Sequence, residues 1–252
     1  MKNTPTLIPE NIIANADDFG LNSSVNKAIL HSYEQGYINS TSLMANCIGF
    51  EEAVAMSHQN KIVQNIGVHI NLAEGKPVTD FKQKGFLTPN GEWDIGQTGK
   101  KLSFLSFESK AAFYAEIETQ LSRVLKQNVP VTHLDSHLHL HTLPCFFELF
   151  LSLARTYKLK LRLAQSFNEG SPLKFLFRQF LNRKIKQQGI GYSSRFQTVD
   201  YFINHHHLRP AARQTEIMLH PDFDQSGNLT DHYLPTDMAD WLLYLKTQNE
   251  PR

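Results

Sequence analysis

Residues 132 to 141 read Thr-His-Leu-Asp-Ser-His-Leu-His-Leu-His, a run that concentrates ionisable side chains at alternate positions. In extended backbone successive side chains point to opposite faces. The spacing therefore predicts His133, Asp135, His137, His139 and His141 on one face and Leu134, Leu138 and Leu140 on the other. A strand face that meets water is ordinarily dressed with Lys, Thr, Glu and Ser, whereas imidazoles crowded around a carboxylate suit a divalent cation. Leu143-Pro144 ends the run at once.

A cation needs further ligands from other parts of the chain. Asp17 and Asp18 stand side by side where the apolar run Asn11 to Asn15 breaks into Asp-Asp-Phe-Gly. Adjacent side chains on a strand cannot both face one ion, so the two should divide the work. One can ligate the cation while the other takes a proton from water, as general-base hydrolysis requires. Taken alone, Asp and Gly are also ordinary turn residues. His69 ends the apolar run Ile66 to Ile70, and His220 ends Ile217-Met218-Leu219 before Pro221. A single histidine at either place reads equally well as a core or capping residue; their shared position at strand ends is what groups them.

The elements that must position these residues follow from apolar periodicity. Short buried runs at 11–15, 40–45, 66–70, 132–141, 159–164, 199–203 and 215–219 read as strands. Between them lie helical patterns: Asn22 or Ser23 to Gly36, Phe50 to His58, Phe113 to Leu125, Pro144 to Tyr157, Ser171 to Lys186 and Met238 to Lys246. The segment 77–105 lacks a period and reads as a long loop over the rim of the site. The helix from Ser171 carries an apolar stripe beside Lys174, Arg178, Arg183, Lys184 and Lys186, the pattern of an outer helix packed on the sheet. His205-His206-His207 reads as a solvated loop. Seven strands alternating with helices predict an α/β fold, a distorted (β/α) barrel of about seven parallel strands, in which functional groups gather at the carboxyl ends of the strands.

Composition narrows the class. The 252 residues, 41% hydrophobic, suffice for a full core, and residues 1–252 read as a single domain, without repeats or a linker. With 25 basic and 24 acidic residues the formal charge is +1, which asks for neither nucleic acid nor an anionic membrane. Cys47 and Cys145 match no metal-ligand spacing and read as reduced residues of a cytoplasmic protein. The first ten residues do not form a signal peptide, and no apolar run is long enough for a transmembrane helix.

Several segments together resemble one known family. They are Asn15-Ala16-Asp17-Asp18-Phe19-Gly20, Ser40-Thr41-Ser42, Gly67-Val68-His69 with Gly75-Lys76-Pro77, the histidine-rich run 132–141, and Met218-Leu219-His220-Pro221. Their order across residues 11 to 222 is similar to that of the YdjC-like carbohydrate deacetylases. The resemblance implies a distorted (β/α) barrel, a divalent metal usually assigned as magnesium, with zinc as the alternative, and removal of an acetyl group from an N-acetylated amino sugar. By the same resemblance Asp18, His69 and His137 are the metal ligands, Asp17 the general base and His220 the general acid. His133, His139 and His141 are held as supporting or substrate contacts. No match extends from Gln165 to Arg213, so the sugar is not named; a homodimer is left open.

Rival readings remain in view. Another metal-dependent barrel hydrolase, of phosphoesterase type, would want phosphate-clamping arginines, and none stands in these motifs. A catalytically silent sugar-binding protein would have lost the base or the acid. A third reading keeps the chemistry and places a lipid-linked sugar on the Leu173 to Leu181 helix.

Overall fold

The computed structural model describes residues 7–101, 104–168, 170–208 and 214–249. Residues 1–6 of the amino-terminal stretch, and 209–213 at the end of the segment without family resemblance, lie outside them. β1 (Ile12–Phe19) is buried along its whole length. Both of its faces are covered, so it shows no simple alternation, as expected of a central parallel strand. α1 (Ser23–Glu34) begins where the Asn22 side chain accepts hydrogen bonds from Ser24 N and Val25 N. β2 (Ser40–Leu43), α2 (Phe50–Gln59) and β3 (Ile66–Ile70) continue the alternation. A short α3 (Ile95–Thr98) and the long α4 (Phe107–Leu125) lead to β4 (Val131–Ser136). Then come α5 (Phe147–Thr156), β5 (Lys160–Leu161), α6 (Pro172–Gln187), β6 (Arg195–Thr198), α7 (Val199–His205) and β7 (Thr215–Leu219).

The seven strands form one parallel sheet in the order β5-β4-β3-β2-β1-β7-β6. In a flat sheet β5 and β1, separated by three strands, would lie about 19 Å apart. Arg162, immediately after β5, nevertheless reaches Asp17 on β1 at 2.6 Å and Glu216 on β7 at 2.6 Å. The sheet is therefore curled into a half-barrel whose concave side is bridged by side chains. Its open edge is stitched by backbone, since Leu161 N donates to Ile190 O and Tyr192 N to Leu161 O. This is the distorted barrel that the strand count predicts.

Four local readings are corrected. The β-branched run at Val199 to Ile203 is helical, because Thr198 caps α7 by accepting from Tyr201 N; the strand lies just before it. β4 ends at Ser136, and the backbone kinks at Leu138 and His139, with φ 52° and 55°; His141 leaves the face that alternation assigned it and pairs with Ser136 Oγ at 2.7 Å, while His139 stays at the cavity. The segment 77–101 is not a bare loop: it carries α3 and packs on α4. Phe81 tilts against Phe113 of α4 and Trp93 stacks on it, and Glu116 accepts from Val78 N and Thr79 N. Last, His205 stacks on Tyr201 at 4.1 Å and His206 on Phe202 at 5.1 Å, so the triple-histidine run closes a helix rather than forming a solvated loop.

α6 conforms to the outer-helix expectation in its second half only. Leu181 and Ile185 are buried there, while Leu173, Leu176 and Phe180 are exposed. After β7 an antiparallel hairpin, β8 (Pro221–Phe223) and β9 (Leu229–Asp231), precedes the closing helix α8 (Pro235–Asn249). Among the described residues no helix is long and apolar enough to cross a membrane.

Candidate active site

β1 ends in an irregularity that settles how two adjacent aspartates share one space. Its register against β2 shifts between Ala16 and Phe19, and Asp18 has φ 66°. A non-glycine residue in this left-handed region is uncommon and marks a site under constraint. The break frees Asp17 and Asp18 from strict alternation, and both are buried.

Asp18 Oδ1 lies 3.2 Å from His69 Nε2 and 2.9 Å from His137 Nδ1. The ligand atoms of Asp18, His69 and His137 all fall within 4.8 Å of one another. Each imidazole is backed by a carboxylate on its other nitrogen: His69 Nδ1 stands 2.8 Å from Asp135 Oδ1, and His137 Nε2 3.5 Å from Glu74 Oε1. Such backing fixes the ring and the tautomer of metal-binding histidines. A buried carboxylate oxygen and two imidazole nitrogens with this support make a donor set that could hold a divalent metal ion.

Without a cation the cluster is held together by charge, and the two imidazoles would give up their protons on binding a metal. Burial opposes ionisation of Asp18, yet hydrogen bonds from His137, His232 and His69 hold it well below the usual carboxylate range. Burial likewise opposes the imidazolium of His69, and the Asp135 and Asp17 carboxylates overcome it, raising the group to about 10. His137 is raised against burial by Asp18 and Glu74.

Asp17 takes a different partner. Arg162 Nη1 donates to its Oδ2 and Nη2 to its Oδ1, each at 2.6 Å, and Asn15 Nδ2 donates to Oδ1 at 2.8 Å. Burial would raise its pKa, but the guanidinium keeps it lowered. The same arginine pairs with Asp135 Oδ2 at 2.8 Å and with Glu216 Oε1 at 2.6 Å. Sequence reasoning missed Arg162 and Glu216. A lone arginine in Lys-Leu-Arg-Leu-Ala and a lone glutamate in Thr-Glu-Ile-Met-Leu, each inside an apolar run, were the available signals.

His220 follows β7, whose Leu219 pairs with Ala16 of β1, so it stands beside the end of β1. Its backbone N donates to Asp231 Oδ2 at 2.7 Å, and its Nδ1 lies 3.4 Å from that oxygen. Burial disfavours its charge, and Asp231 more than restores it, so the group is raised above its ordinary value. Asp17, His69, His137 and His220 all line one cavity of about 270 Å³, with Leu138 and Tyr233 at its walls. Asp231, which ends β9, and His232 and Tyr233, which lead on toward α8, were not anticipated; no apolar period surrounds them.

The other histidines of the run separate. His139 lines the cavity, while His133 and His141 are buried in the interior. The His133 ring stacks on Tyr192 at 3.8 Å and lies over Gly67, where a Cβ would approach its Nε2 to 2.3 Å. Gly67 thus gives room for the ring, two residues before His69.

Known proteins resemble this chain in sequence and in fold. The family model described as YdjC-like protein matches residues 11–248. A protein of Vibrio parahaemolyticus named carbohydrate deacetylase is 31% identical over 180 residues, 71% of this chain and 69% of that protein. Another of the same name, from Vibrio campbellii, is 35% identical over 153 residues, 60% of this chain and 58% of that protein. Among solved structures, a protein of Enterococcus faecalis V583, provisionally described as a cellobiose-phosphate cleavage protein, superposes with a TM-score of 0.73 at 20% identity. That superposition covers 94% of this chain and 92% of the other and shows a shared fold. The match across nearly the whole chain places the protein in the YdjC-like family.

Proposed function

We propose that the protein is a metal-dependent hydrolase that removes the acetyl group from an N-acetylated amino sugar. The observation that carries this reading is that Asp17, His69, His137 and His220 line one cavity. The relatives named carbohydrate deacetylase supply the substrate class.

The assigned roles follow from each environment. Asp18, His69 and His137 would hold the metal, with magnesium the first ion to test and zinc the second; when bound it would lower the pKa of water and stabilise developing negative charge. Asp17, kept ionised by Arg162, takes the proton of the attacking water. His220, kept protonated by Asp231, gives a proton to the amide nitrogen as the carbon–nitrogen bond breaks. Water is thereby divided between acetate and a free amine. A cytoplasmic setting belongs to the same proposal.

The lining favours an uncharged sugar. Leu138, Met218 and Tyr233 offer apolar surface, and Thr198, Asp231 and Asp237 offer partners for hydroxyls. No lysine or arginine is among the described lining residues, and Arg162 is engaged by three carboxylates, so no phosphate clamp is at hand. A second reading keeps the chemistry and changes the carrier. The exposed Leu173, Leu176 and Phe180 on α6 would then receive a lipid-linked acetamido sugar.

Acetate release from a panel of N-acetylated oligosaccharides, beside a lipid-linked acetamido sugar, tests both. Asp17→Asn should keep metal and lose turnover by about 10²- to 10⁴-fold, whereas His137→Ala should lose the metal. Near-normal turnover by Asp17→Asn would overturn the assigned base. Equal turnover of the soluble sugar, without vesicle binding, would remove the lipid reading.

A further inference from the structure

Three consecutive residues outside every motif of the sequence each reach a different part of the site. Asp231 Oδ2 accepts from His220 N at 2.7 Å, His232 Nε2 stands 3.1 Å from Asp18 Oδ2, and the Tyr233 hydroxyl lies 3.3 Å from His137 Nε2. The strap is pinned to the end of β7, because His232 N donates to His220 O at 3.0 Å. A single short segment therefore touches the acid side and the ligand side of the cavity at once.

The two oxygens of Asp18 have different neighbours. Oδ1 faces His69 and His137, and Oδ2 faces His232. An ionised carboxylate only accepts, so the 3.1 Å contact places a proton on His232 Nε2. Its Nδ1 is buried without a hydrogen-bond partner. The polar capacity of His232 is thus directed at Asp18. A carboxylate held at one oxygen presents the other in a fixed direction; released, it can turn or offer both.

We propose that His232 is a positioning residue of the metal centre, holding Asp18 so that Oδ1 alone is offered to the cation. The proposal rests on the reading of Asp18, His69 and His137 as the ligands. It adds a residue that acts on the metal through another side chain, and it explains why the strap that holds His220 also closes over Asp18. Strap and strand end then fix the distance between the acid and the metal.

A packing role is the alternative, since the His232 ring lies 4.5 Å from Tyr233 and 5.4 Å from His220, centroid to centroid. Phenylalanine would keep that packing and remove the donor; glutamine would keep a donor and remove the ring. The experiment is calorimetric titration of metal-stripped full-length protein with Mn²⁺, for the wild type, His232→Phe, His232→Gln and, as reference, His137→Ala. His137→Ala should show no binding. His232→Phe should bind about 10- to 100-fold more weakly than wild type, and His232→Gln should recover most of that loss. If His232→Phe fails to give a cooperative thermal transition, His232→Met takes its place. Wild-type affinity in the donor-less variant, or no recovery with glutamine, overturns the assignment. A wild type that takes up no Mn²⁺ overturns the ligand reading itself and this assignment with it.

Discussion

Arg162 grips both oxygens of Asp17, with Nη1 to Oδ2 and Nη2 to Oδ1 at 2.6 Å each. A forked guanidinium on a carboxylate fixes its plane as well as its charge. The pair also joins the end of β5 to β1 across the concave side of the sheet, so the contact that orients the proposed base also holds the curl.

A first prediction concerns Arg162→Lys. An ammonium cannot reproduce the fork, so Asp17 loses a bond and its lowered pKa rises toward the ordinary value. A base must be ionised to act, and a carboxylate with a higher pKa becomes ionised only at higher pH. The acid limb of kcat/KM should therefore move to higher pH, with a lower plateau. Arg162→Met should be far worse, since it leaves Asp17, Asp135 and Glu216 buried without their cation; a loss of about 3–5 kcal/mol is expected in denaturant unfolding. An unmoved acid limb in Arg162→Lys would separate Asp17 from the rate-controlling base.

The opposite limb belongs to His220. A general acid works only while protonated, and Asp231 raises the His220 pKa against burial. Asp231→Asn removes that support, so His220 loses its proton at lower pH and the alkaline limb should shift downward. Measuring kcat/KM from pH 6 to 10 for both proteins reads the shift directly. An upward shift, or none, would assign the limb to another group.

Much of this was legible in the residues themselves. The alternation of apolar runs and helical periods gave the parallel α/β sheet, because a buried strand and an amphipathic helix leave different spacings. Asp17, Asp18, His69 and His220 stood out at the ends of apolar runs, and His137 within a histidine-rich run; their separate roles came from the family resemblance. Arg162 and Glu216 could not be assigned partners, since their pairing depends on a curl that brings together strands distant in the sheet. Alternation also failed after Ser136, where two consecutive left-handed residues, Leu138 and His139, redirect the chain in a way that apolar spacing does not encode. The 231–233 strap has no pattern of its own, because its place comes from hydrogen bonds to His220 rather than from buried apolar residues.

Stability should carry the mark of the buried histidine beside Tyr192. His133 is lowered from 6.5 to about 4, chiefly by burial, with Arg162 adding to the effect against the pull of Asp135 and Asp17. The unfolded chain takes up a proton there as pH falls below 6.5, whereas the folded chain resists until about 4. Its neutral form thus costs stability as pH falls through that window. His133→Phe keeps the stack on Tyr192 and removes the titration. Relative to this variant, the wild type should lose up to about 1.4 kcal/mol per pH unit between pH 6.5 and 4. Urea unfolding of both metal-stripped proteins at several pH values gives the difference; a constant one would mean that His133 is not held neutral.

Gly67 and His133 supply a prediction about how the site is built. A Cβ at residue 67 would lie 2.3 Å from His133 Nε2 and 2.5 Å from its Cδ2, closer than any real contact, and Tyr192 stacks on the same ring at 3.8 Å. The ring cannot retreat without disturbing that stack, so Gly67→Ala forces a shift in β3 or β4. Overpacking of this kind costs about 1–3 kcal/mol. It should also weaken metal binding, because His69 lies two residues along the same strand and Asp135 two residues beyond His133. The double variant Gly67→Ala/His133→Ala removes the clash and should recover stability relative to the sum of the single changes, since residues in contact are not additive. Denaturant midpoints of the four proteins, read with Mn²⁺ titrations, decide it. Simple additivity would show that the close approach of strand and ring is not what requires glycine at this position.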